Sequence, residues 1–108
     1  MTALPDTRRG EFTLEHYLSW PEHERWQLLD GHAHAMAPPL IKHQRVVSEL
    51  GRQLGNQLLG KPCTALVAPV GVALPKAASN DDPRRIDTVF EPDLVVVCDP
   101  AKIGTRYI

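Results

Sequence analysis

Glu91-Pro92-Asp93-Leu94-Val95-Val96-Val97-Cys98 is the stretch on which the fold turns. Leu94 to Cys98 run without polar interruption, the pattern of a strand covered on both faces rather than one half-exposed on a surface sheet. Such a strand predicts a core of sheet and helix together, an α/β (α+β) class. Pro92 fixes the backbone just before it, so Asp93 stands as a carboxylate at the mouth of a rigid strand. Read alone, Asp93 is better explained as a turn cap or a solvated strand start, since a single acid holds Mg2+ poorly. Glu91, two residues earlier, is placed to share its face.

Upstream of this strand, residues 75–88 carry turn chemistry around Ser79-Asn80-Asp81-Asp82-Pro83 and read as a loop with no core element. Ala65 to Leu74 reads as extended, with Pro69 marking an edge, a bulge or a strand start. Before it, Val47, Leu50, Leu54 and Leu58 recur at helical spacing, which predicts one helix over Ile41 to Leu59. Gly60 supplies the left-handed stop and Pro62 forbids continuation. Ser48, Gly51 and Gly55 read as a small-residue strip on that helix, admitting another backbone closely. Further back, Trp26 and Leu28 alternate with polar neighbours, Asp30-Gly31 follows, and Ala33 and Ala35 alternate again. That is a hairpin on a two-residue turn, whose positive φ values Gly supplies freely and Asp tolerates. Thr13 is placed to cap a short helix over Leu14, Tyr17 and Leu18 that Pro21 interrupts or ends, while Ser19 with Glu22 also has capping-box spacing for a new turn. Residues 1–10 read as a loose tail, which leaves residues 11–108 as one folded unit.

The chain has 108 residues, enough for one core and too few for two. Its net charge of −1 excludes a protein that coats nucleic acid through bulk positive charge. Locally the balance differs: Lys42, Arg45, Arg52 and Lys61 face only Glu49 across residues 42–61, a basic helix that reads first as a solvated face and second as a nucleic-acid contact. No run approaches the ~20 apolar residues of a membrane span. The N-terminus lacks the apolar stretch of a secretion signal, which makes the cytoplasm the expected location. Cys63 and Cys98 could form at most one bridge, and Cys98, ending an apolar run, reads as a buried reduced thiol.

Two other chemistries are weaker. His32 and His34 lie two apart in a strand and project from one face, as His-x-His metal pairs do, but no third ligand has suitable spacing. His43 opens the long helix. No serine has the Gly-x-Ser-x-Gly elbow and neither cysteine has a nucleophile motif around it.

Taken in order, several motifs resemble the restriction endonuclease-like family within the PD-(D/E)XK nuclease superfamily. Trp26-Gln27-Leu28-Leu29-Asp30-Gly31 resembles its hairpin, and Met36-Ala37-Pro38-Pro39 the turn that follows. His43-Gln44-Arg45-Val46 resembles the opening of its first long helix, Ala68-Pro69-Val70 its next strand, and Glu91 to Val97 its Gln/Glu-Pro-Asp strand. The resemblance spans residues 12–103.

It implies a mixed sheet flanked by helices and a Mg2+-dependent site for phosphodiester hydrolysis on DNA, with Asp93 matching the family's first metal-binding aspartate. His43, Glu91 and His32 are the candidate positions lining that site, and the locally basic Lys42, Arg45 and Arg52 are the candidate contacts to nucleic acid on charge alone. Where the family has Glu after the hairpin Asp-Gly this chain has His32, a poorer partner for Mg2+. The family's second acidic ligand and catalytic Lys would follow Ile108. The fold is thus expected to be incomplete at the C-terminus, with a sheet edge that a homo-oligomer could cover, and the chain by itself to have little or no nuclease activity. The alternatives are a noncatalytic nucleic-acid-binding or interaction module and, last, a small protein binding metal through His32 and His34.

Overall fold

A computed structural model describes residues 11–76 and 81–108. The expected tail over residues 1–10 and the Ser79-Asn80 part of the expected turn lie outside the described residues. The chain forms helix α1 (Leu14–Ser19), strands β1 (Trp26–Leu29) and β2 (His32–Ala35), helix α2 (Ile41–Gln57), then β3 (Thr64–Val67), β4 (Val72–Ala73), β5 (Val89–Phe90) and β6 (Leu94–Val97). A single 3-10 turn, Pro100–Lys102, follows. This is an α+β molecule with two antiparallel sheets, one ordered β2-β1-β5-β4 and one pairing β3 with β6.

The hairpin forms as expected because its turn is tolerant of positive φ: Asp30 sits at 50° and Gly31 at 83°. With Leu28 opposite Ala33 and Trp26 opposite Ala35, the period-two alternation puts Trp26, Leu28 and Ala33 on one buried face. Phe12, Leu14, Ile86 and Val89 complete that core. Helix α1 ends before Pro21, and at its start the Thr13 amide donates to His16 Nδ1 at 3.0 Å. Helix α2 stops at Leu58, with Gly60 at a φ of 74°.

Four expectations are corrected. The apolar run of β6 is not covered on both faces: among the described residues it pairs with β3 alone, and Val96 is 42% exposed. An uninterrupted apolar run cannot itself report how many neighbours cover it. Residues 75–88 do contain core: Ile86 and Thr88 are buried and lead into β5, whose two residues are too few for any periodicity to register. The Ser48-Gly51-Gly55 strip admits no second backbone. A Cβ on Gly51 would meet only the Val67 side chain at 3.5 Å, and one on Gly55 would meet nothing. Finally, Cys98 is not a buried thiol but is exposed and bonded to Cys63. Thr64 pairs with Val97, so the next opposed pair outward is Cys63 and Cys98, with Cα atoms 3.9 Å apart.

No helix among the described residues is long and apolar enough to cross a membrane. Beyond the 3-10 turn the chain returns to the sheet: the Ile108 amide donates to Gly71 O and the Ala73 amide to Ile108 O.

Candidate functional site

Asp93 lies where β6 begins, opposite the end of β3, and its carbonyl accepts from the Ala68 amide at 3.1 Å. Its side chain is 58% exposed and reaches His43 in the first turn of α2, with Nε2 to Oδ2 at 3.1 Å. The other ring nitrogen, Nδ1, faces Gln44 Oε1 at 3.2 Å. With an oxygen at each nitrogen the imidazolium is favoured, and the Asp93 carboxylate holds the His43 pKa above its ordinary value, with Gln44 adding to the effect. Around this pair is a cleft of about 250 Å3 between α2 and the β3 end, which Arg25, Ser48 and Ala68-Pro69 also line. The Ala68-Pro69 peptide is cis.

Glu91 does not share this setting. It is 6% exposed and turned into the body of the protein, where Tyr17 Oη donates to Oε2 at 2.6 Å and Arg25 Nε to Oε1 at 3.0 Å. Its amide donates to Gln27 Oε1 at 2.8 Å. Burial, and then the hydrogen bond to Glu91, push the Tyr17 phenol well above its usual range. Arg25 Nη2 is buried without a hydrogen-bond partner, leaving both of that nitrogen's N–H donors unused. Tyr17, Arg25 and Gln27 escape a reading of the sequence because each looks like an ordinary polar residue in its own element. They matter through Glu91, 64 to 74 residues away.

The remaining candidates are dispersed. His32 is on β2, exposed, and does not line the Asp93 cleft. His34 shares its strand face, yet among the described residues no three His, Cys, Asp or Glu side chains converge as a metal site. Lys42 and Arg45 are exposed on α2. Arg52 is held by both oxygens of Glu49, which also accepts from Gln53, and these donors bring the Glu49 pKa down to about 2. A resident Mg2+ ion would ask for several hard oxygens. The cleft supplies one carboxylate, already engaged by an imidazole, so these residues do not fit the ion and no chemistry is routed through it.

What the cleft does offer is hydrogen-bond donors. His43, when protonated, offsets the charge of Asp93, Ser48 brings a hydroxyl, and Gln44, whose oxygen is taken by His43, has amide hydrogens left to donate. This is an arrangement for an oxyanion rather than for a cation. A family model described as "Putative restriction endonuclease" (Uma2) matches residues 14–108. No curated protein matches the chain.

Proposed function

The chain belongs to the Uma2 family of restriction endonuclease-like proteins, and on that premise we propose that the Asp93–His43 cleft contacts the phosphodiester backbone of DNA, with little or no hydrolysis by these 108 residues alone. The observation that carries the reading is the pairing of Asp93 with His43 in a cleft that otherwise presents donors. A free aspartate would repel a phosphate, whereas one neutralised by an imidazolium does not. The exposed Lys42 and Arg45, on the same helix as His43, extend the contact by charge alone. Hydrolysis by this family's chemistry would need a second acid beside Asp93, and among the described residues none stands there.

The test is direct. Purified protein is incubated with supercoiled plasmid in Mg2+, Mn2+ or chelator, and in parallel its retention of labelled duplex is followed against salt. Expected are salt-dependent retention, weakened in Lys42→Ala and Arg45→Ala, and nicking no faster than that of Asp93→Ala. Metal-dependent nicking lost in Asp93→Ala would show that the site is hydrolytically competent and overturn the second half of the proposal. Absence of any retention at low salt would overturn the first.

A further inference from the structure

On the far side of the Arg25–Glu91 pair from the Asp93 cleft is a second cavity, of about 270 Å3. Arg25 lines the cleft and Glu91 the cavity, while Pro69 lines both, so one wall separates them. Three rings, Tyr17, Trp20 and the largely buried Trp26, are among the residues lining the cavity. Its polar groups are mainly acceptors. Glu91 takes one donor on each oxygen, which leaves a further lone pair on each, and Glu24 accepts from Trp26 Nε1 at 3.2 Å. At the rim Arg106 is anchored by its Nη1 to the Leu18 carbonyl at 3.0 Å. The carboxylates make this a poor place for a phosphate, in contrast to the cleft next door. The volume lies below the roughly 300–1,000 Å3 of pockets for drug-sized ligands, which suits one planar ring system.

Taken with the reading of the cleft as a phosphate contact, on which this inference rests, we propose that the cavity receives a nucleobase of the bound strand, one carrying an exocyclic amino group. Aromatic side chains stack any base, and the acceptors choose among bases by their donors. Cytosine presents its 4-amino group to the Glu91 carboxylate. Uracil, the same size, presents a carbonyl there and meets like partial charge. Because the base must leave a stack to enter, unpaired strands bind better than duplex.

The molecule carries its own reporter, since both of its tryptophans line this cavity. Tryptophan emission of the full chain, excited beyond the absorbance of the bases, is titrated with cytidine, uridine, tetramethylammonium and inorganic phosphate. Cytidine should change the emission saturably and bind roughly tenfold more tightly than uridine, the scale of one good base contact. Thr105→Phe, which puts bulk at the rim from an exposed position, should abolish the cytidine response and leave the circular dichroism unchanged. The inference is overturned if no nucleoside gives a saturable change, if uridine equals cytidine, or if Thr105→Phe binds cytidine as before. Saturation by tetramethylammonium instead would overturn it too, making the cavity a cage for organic ammonium. Duplex retention, measured without tryptophan, stands or falls separately, so failure here is distinguishable from failure of the cleft reading.

Discussion

Tyr17 shows how closely single residues are fitted around the buried Glu91. Its hydroxyl is held at 2.6 Å from the carboxylate, and a Cβ built on Gly71 would come within 2.7 Å of the same oxygen. Gly71→Ala therefore has to displace the phenol, and urea unfolding should show a loss of about 1–3 kcal/mol. In a Tyr17→Phe background the same substitution should cost less, because the oxygen it strikes is gone; equal costs in both backgrounds would mean that the clash is relieved elsewhere. At the cleft, His43 should titrate above the ordinary imidazole value and fall back toward it in Asp93→Asn, as followed by proton NMR. The sign of the linkage follows. A histidine whose pKa is raised on folding contributes its stability in full below the unfolded value near 6.5, and that contribution is lost as pH rises through the folded value.

Among the elements, the ribbon of β3 and β6 depends on its crosslink. The strands pair over four residues, and Cys63 and Cys98 close them at the end away from Asp93. Closing a loop of 35 residues removes chain entropy from the unfolded state equivalent to about 3–4 kcal/mol. Unfolding of the oxidised chain should therefore exceed that of Cys63→Ser/Cys98→Ser by about that much, and equal midpoints would show that the bond adds nothing. The elements also differ in how legible they are from sequence. The hairpin was readable because Asp-Gly names its own turn, and α2 because a four-residue rhythm and Gly60 mark its length and stop. The partner of β6 was not, since pairing depends on register between segments some thirty residues apart. Nor was β5, whose two residues hold no period. At the candidate site, Asp93 and His43 stand out as separate motifs, but their contact and the Arg25–Glu91–Tyr17 cluster exist only once distant segments meet.

At the scale of the whole molecule the packing is uneven. The radius of gyration is 15.1 Å, against about 13 Å for an ordinary domain of this length, and the shortest extent is 20 Å. The core is built from α1, the larger sheet and the segment leading into β5, whereas α2 contributes no buried residue. Hydrogen exchange should therefore release the α2 amides through partial opening, well before those of Leu28 and Val89; uniform protection would show the two parts to open together. Ile41, Val46, Leu50 and Val96 are exposed. Such surface favours self-association, so light scattering during size exclusion should give a mass that rises with concentration, and a constant monomer mass would refute this. The strand order adds a constraint on how the chain acquires its shape. Val89 pairs with Leu28 on one side and Ala73 on the other, so the middle of the larger sheet is supplied by residues synthesised some sixty positions after the hairpin strand they join. A nascent chain on the ribosome can zip its first hairpin early, but must then wait, with the second edge of that hairpin open, until residues 89 and 90 emerge. Closure of the larger sheet is for this reason a non-local step that cannot precede residue 90, and the hairpin edge is open to mispairing until then.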